Sequence, residues 1–194
     1  KERKQIPTGF IDVGAHFGET NEVMHAMFPD KRIVSFEANP YCESILKSKG
    51  IEYIIGLLGD KDKEDVPFYL NPNDMTSTGC SIHKELTHFF ASPVIVNLPM
   101  YRLDSVVPAE AKLNFLKMDV QGAELEILDG ATELLPQIRW IYLEVSFVPC
   151  NEGAPLFGEV FDYLRSRGYR ISDTCDPTWV DSVLVQTNFL FEKS

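Results

Sequence analysis

The sequence predicts an α/β fold: a doubly wound, mostly parallel sheet with helices on both faces. Three observations carry this. Apolar runs alternate with helical patterns along most of the chain. Residues 10–18 read Phe-Ile-Asp-Val-Gly-Ala-His-Phe-Gly, an apolar run entering a glycine-rich turn. Glu37 stands nineteen positions beyond Gly18, at the end of a second apolar run, Arg-Ile-Val-Ser-Phe-Glu. A strand, a glycine turn, a helix and a second strand ending in a carboxylate is how doubly wound folds hold a nucleoside.

The elements follow in order. Residues 9–13 form the first strand, and residues 18–28 a helix that ends near Pro29. Residues 32–37 form the second strand. Asn39-Pro40 reads as an N-cap followed by proline at the first helical position, opening a helix to about residue 48. Gly50 ends it, and residues 51–57 give a third strand. Residues 59–107 are the least regular part. They hold a charged turn (60–65), a short strand (67–70), a polar stretch (71–81) and a strand at 94–101. This section reads as an insertion or hairpin above the C-terminal edge of the sheet, where loops usually bind ligand. A fourth strand covers 114–120, a helix 122–135, a fifth strand 139–145 and a helix 156–167. Residues 169–173 and 182–192 read as a closing antiparallel hairpin whose connection contains Pro177. No repeat or interdomain linker appears, so residues 1–194 are expected to form one domain.

Bulk properties narrow the function. A net charge of −11 argues against a general nucleic-acid or membrane-surface binder, because phosphate-rich partners would be repelled. No stretch approaches the ~18 apolar residues of a membrane span. The polar, charged start carries no signal-peptide pattern. Cys42, Cys80, Cys150 and Cys175 form no C-x-x-C pair, which reads as free thiols of a reducing compartment. A cytoplasmic location is therefore expected. Trp140 and Trp179 read as packing residues.

The first candidate site is residues 12–20. Gly14 lets the chain turn sharply after the first strand and lets a ligand lie against bare backbone. Gly18 lets the next helix start close to ligand and sheet. Free N–H groups in that first turn suit the carboxylate of a methionyl group. Asp12, at the strand tip, would accept from its amino group. Gly14 and Gly18 are four apart and the G-x-G-x-x-G triplet is absent. An Asp two residues before the first glycine suits S-adenosylmethionine better than a pyrophosphate. Ala15, His16 and Thr20 complete this turn. Glu37 would accept hydrogen bonds from a ribose diol, with Ala38 and Asn39 flanking the adenine. Asp119 ends the fourth strand beside the first, near the switch point of the sheet. An acid there is costly unless used or paired. Glu124, in the first turn of the following helix, has a structural explanation in the helix dipole.

Asp12-Val-Gly-Ala-x-x-Gly, Phe36-Glu37-x-x-Pro40 and Leu116-Lys-x-Asp119-Val-x-Gly122-Ala-Glu124-Leu, followed by Leu128-x-Gly130-Ala131, carry a resemblance. Leu103-Asp104-Ser105 and Leu143-Glu144 extend it. The chain resembles the FkbM family of S-adenosylmethionine-dependent methyltransferases over residues 10 to about 147. The first motif is shared by most class I methyltransferases, whereas the fourth-strand motif is much more specific. The resemblance implies a seven-stranded, Rossmann-like class I methyltransferase fold. It implies O-methylation of a hydroxyl on a sugar, a glycan or a polyketide-like natural product. Three positions depart from the family pattern. His16 stands where Asn is common, Ala38 replaces the usual Pro, and Gln121 replaces a frequent Glu, removing one carboxylate.

Methyl transfer from a sulfonium mainly needs donor and acceptor held in line, and a hydroxyl acceptor also needs a base. Asp119 and Glu144, ending adjacent strands over one cleft, are the candidates. His16, His83 and His88 are weaker ones. A divalent cation on Asp119, Glu144 and a third oxygen is an alternative with an incomplete ligand set, and no metal site is assigned. Two other classes stay open. One is a module that binds S-adenosylmethionine without catalysis. The other is a nucleotide-dependent oxidoreductase, against which the missing third glycine counts. The sequence leaves acceptor identity and oligomeric state open.

Overall fold

A computed structural model describes residues 5–86 and 90–194. His88 lies outside the described residues. The elements are β1 (Phe10–Val13), α1 (Glu19–Met27), β2 (Ile33–Glu37), α2 (Glu43–Ser48), β3 (Tyr53–Ile55), β4 (Leu57–Leu58), β5 (Lys63–Leu70) and β6 (Val94–Tyr101). There follow α3 (Leu103–Val106), β7 (Phe115–Met118), α4 (Glu124–Asp129), β8 (Trp140–Ser146), α5 (Phe157–Ser166), β9 (Tyr169–Val180) and β10 (Val183–Lys193).

Seven strands form the main sheet in the order β3-β2-β1-β7-β8-β10-β9. The first five in that order run parallel, and β10 pairs antiparallel with both β8 and β9. Connections from β1 lead outward to β2 and β3, and the chain then returns to the other side of β1 to build β7 and β8. The order therefore reverses between β1 and β7, which opens a crevice beyond their carboxyl ends. Every residue of β1 and β2 is buried, as in a parallel sheet covered on both faces. Phe36, Leu116, Met118, Ile141 and Leu143 are almost wholly enclosed. Each such side chain contributes about 1.5–3 kcal/mol by leaving water.

Five sequence expectations change. The third strand breaks at Gly56, whose φ of 152° only glycine adopts readily. The chain there leaves the main sheet, and β4 joins a three-stranded sheet of order β4-β6-β5. The expected charged turn 60–65 is partly strand, since β5 starts at Lys63. The helix expected over 122–135 stops at Asp129. The reason is Asp104: its buried carboxylate accepts the backbone N–H groups of Glu133 and Leu134, both at 3.0 Å, and fixes a turn instead. Finally, β9 runs through Pro177 to Val180, and the hairpin reverses at Asp181 and Ser182 with φ of 47° and 65°. Two positive φ values suit the twist of a tight hairpin. Pro177 is tolerated because β9 is the edge strand. Trp140 is packed as expected, but Trp179 stands 60% exposed on that hairpin.

Candidate functional site

The glycine turn hangs from β1 and is tied to β2. Backbone N–H groups of Gly14 and Ala15 both donate to the Phe36 carbonyl, at 2.9 and 3.0 Å. Gly14 has φ of 73°, and a Cβ there would stand 1.9 Å from the Asp119 carbonyl oxygen. The glycine is thus required by the end of β7 pressing on the turn. A Cβ at Gly18 would meet Ile51 at 2.2 Å, so that glycine serves packing of α1 against the sheet edge.

Glu37 ends β2 and is buried, 8% exposed as a residue. Oε2 accepts from the His16 N–H at 2.6 Å and Oε1 from the Asn39 N–H at 2.7 Å. Burial pushes this carboxyl up, and the two backbone N–H donors hold it down. Each oxygen keeps a further lone pair for a ligand donor.

Asp12 is wholly buried and faces Lys117 across the β1–β7 ladder. Lys117 Nζ lies 3.1 Å from Asp12 Oδ1, yet its closest acceptor is the Gly14 carbonyl at 2.7 Å. Asp12 therefore has its counter-charge but no well-aligned hydrogen bond. Burial raises its carboxyl, and Lys117 opposes that.

Beyond β7 and β8 sits a second polar group. Gln121 Nε2 donates to Asp119 Oδ1 at 3.0 Å and to Glu144 Oε2 at 3.1 Å. Gln186, from β10, donates to the same Glu144 oxygen at 3.0 Å and to Ser146 Oγ at 3.3 Å. Burial and the nearby Asp119 charge push Glu144 up, against the Gln121 hydrogen bond.

Residues 71–86 cross above both groups. His16 Nε2 donates to the Thr76 carbonyl at 2.8 Å, and Asn39 Nδ2 to the Met75 carbonyl at 2.7 Å. Ser81 Oγ donates to the Gln121 carbonyl at 2.8 Å. The polar stretch 71–81, open between surface loop and site lining in the sequence, thus contributes Ser77 to Ser81 to a wall. Together they enclose a cavity of about 420 Å³, within the ~300–1,000 Å³ of small-molecule sites.

Of the residues singled out from sequence, Gly14, His16, Glu37, Ala38, Asn39, Asp119 and Glu144 share this cavity wall. Asp12, Ala15, Gly18 and Thr20 are not on it. Asp12 is turned to Lys117, and the Phe17 N–H in the turn is taken by Glu19 Oε2 at 3.2 Å. His83 is not on the wall either: its Nε2 faces Glu126 Oε1 at 3.0 Å, which raises the imidazole. Sequence reasoning missed Gln186 on the cavity wall and Lys117, the partner of Asp12. Lys117 had a signal, a lone cation in the apolar run Phe-Leu-Lys-Met of a central strand, with a lone acid in the adjacent one. Among the described residues, no three or more His, Cys, Asp or Glu side chains cluster to hold a metal ion. No helix among them is long and apolar enough to cross a membrane.

Residues 12–171 match the Methyltransferase FkbM domain family. The chain belongs to that family. No curated protein sequence matches it significantly. Among solved structures it is similar to methyltransferase FkbM from Methylobacillus flagellatus KT, at 17% identity and a TM-score of 0.59, covering 94% of this chain and 43% of that one. It is also similar to precorrin-6y C5,15-methyltransferase from Geobacter metallireducens GS-15, at 12% identity and a TM-score of 0.53, covering 97% and 82%. A third is magnesium protoporphyrin IX methyltransferase from Synechocystis PCC 6803 with bound SAM, at 10% identity and a TM-score of 0.51, covering 96% and 70%. At such identities the likeness is one of fold, that of class I methyltransferases. The chain spans less than half of the length of the Methylobacillus flagellatus protein.

Proposed function

We propose that this FkbM-family chain is an S-adenosylmethionine-dependent enzyme that methylates a hydroxyl on a sugar, glycan or natural-product acceptor. The observation that carries the reading is one cavity running from Glu37 and Asn39 beyond β2, past Gly14 and Asp119, to Glu144 on β8. Three strand steps, β2 to β8, separate the two ends by about 14 Å, room for a nucleoside and an acceptor side by side.

The residues present fit the cofactor. Ser77 Oγ is buried on the cavity wall with no hydrogen-bond partner, an orphan that a ligand would satisfy. Glu37 would accept the ribose hydroxyls and so disfavour a 2′-phosphate. The cofactor supplies an electrophilic methyl group on a sulfonium. The chain's part is to align donor and acceptor, which can supply roughly 7–11 kcal/mol. Asp119 or Glu144 would take the proton from the acceptor oxygen. The raised carboxyl of Glu144 moves its basicity toward neutral pH, the useful direction for a base. Four free thiols fit a reducing, cytoplasmic setting.

Calorimetry with S-adenosylmethionine and S-adenosylhomocysteine, and NADH as control, tests the reading. Micromolar binding of both sulfur ligands is expected. Glu37→Gln, which keeps the size but loses an acceptor oxygen, should weaken it on the order of 10-fold to 100-fold. A folded protein that binds neither sulfur ligand would overturn the reading. Tight binding with no turnover over a broad hydroxylated panel would favour a non-catalytic binding module.

A further inference from the structure

Gln121 has no assigned role, yet it has an unusual position. Its backbone is left-handed, with φ of 55°, and Ser81 Oγ pins its carbonyl at 2.8 Å. The side-chain amide carries two hydrogens, and both are used, one on Asp119 and one on Glu144. The amide orientation follows from its neighbours: the opposite one would set its oxygen against two carboxylates. Two acids this close ordinarily need a cation or a shared proton.

We propose that Gln121 is a positioning residue whose amide nitrogen stands where a divalent cation would otherwise stand between Asp119 and Glu144. It fixes both carboxylates without adding charge. With Gln186 also donating to Glu144 Oε2, that oxygen is occupied twice. Among the described residues no hydrogen-bond donor reaches Glu144 Oε1 or Asp119 Oδ2, which leaves these two oxygens free to accept the acceptor's proton. The inference rests on the methyl-transfer reading only for the word acceptor; the metal-free bridge stands on the amide geometry.

Manganese titration of the whole chain, read by the spin signal of free Mn²⁺, tests it. The wild type should show no saturable binding below the millimolar range. Gln121→Glu replaces the donor by a third carboxylate and should bind Mn²⁺ at least 100-fold more tightly. Adding Glu144→Gln to that variant should return it to wild-type behaviour. Gln121→Ala, which empties the position without adding charge, should gain about 10-fold and covers the case of a misfolded Glu variant. Wild-type affinity equal to that of Gln121→Glu, or no gain in either folded variant, would overturn the proposal. S-adenosylhomocysteine titrated into the same samples reports separately on the cofactor reading.

Discussion

The cavity has a floor and a roof, and the two are held by different means. The floor is the carboxyl ends of β1, β2, β7 and β8, carried on parallel ladders and a buried apolar core. Its turn residues hydrogen-bond through backbone, as Gly14 and Ala15 do to Phe36. The roof is residues 71–86. Residues 75–76 are attached by single side-chain bonds, from His16 to Thr76 and Asn39 to Met75, while residues 81–86 add backbone bonds to Tyr69, Cys150 and Glu152. Core strands open only with global unfolding, whereas segments held by a few bonds open locally. The roof is therefore expected to open before the floor.

The largest expected break lies in the floor. Lys117→Met leaves the wholly buried Asp12 without its counter-charge, and should cost about 3–5 kcal/mol in urea unfolding. Combining it with Asp12→Asn should restore most of that loss. A single-variant cost below ~1 kcal/mol would show that the floor does not depend on this pair.

A smaller effect is expected just behind the floor, at Glu124. Burial raises its carboxyl from an ordinary 4.5 to about 7, with the Gly122 N–H opposing and Asp119 adding to the rise. A carboxyl raised on folding contributes fully below pH 4.5, and that contribution is lost as pH rises to about 7. Glu124→Gln should therefore match the wild type near pH 4 and be more stable above pH 7, by on the order of 2–3 kcal/mol. Stability measured at both ends decides it; equal differences at both would mean Glu124 ionises freely.

The smallest effect belongs to the roof. His16→Asn keeps a residue type suited to the positive φ of 50° but is too short to reach Thr76. Amides of residues 74–80 should exchange with deuterium roughly 5-fold faster, consistent with one lost bond of about 1 kcal/mol. Global unfolding should move by less than ~0.5 kcal/mol. An equal loss of global stability would mean that roof and floor open together.

The same contrast explains what was legible in the sequence. Gly14, Glu37, Asp119 and Glu144 lie at or near the ends of strands whose apolar runs announce them, so the floor was readable from local pattern. The main sheet and its closing hairpin were readable for the same reason. Lys117 was harder, because its meaning depends on a strand paired from more than a hundred residues away. Gln186 reaches Glu144 only through the antiparallel register of β10 on β8. The exit at Gly56 and the early end of α4 were hidden too. The helix end is imposed by a tertiary partner, Asp104, and the exit rests on a backbone angle at Gly56 that a single glycine letter does not reveal. The roof was the least legible part, since nothing in a polar stretch tells which backbone oxygens will be captured.

β9 bounds the main sheet, and nearly all of its twelve residues are exposed. Such a border is a template on which further chains can stack into aggregates. Pro177 offers no N–H there, and Asp173 and Asp176 precede it with like charge. An incoming strand would meet a gap in its ladder and two carboxylates, so the chain carries its own safeguard against uncontrolled sheet growth at high concentration.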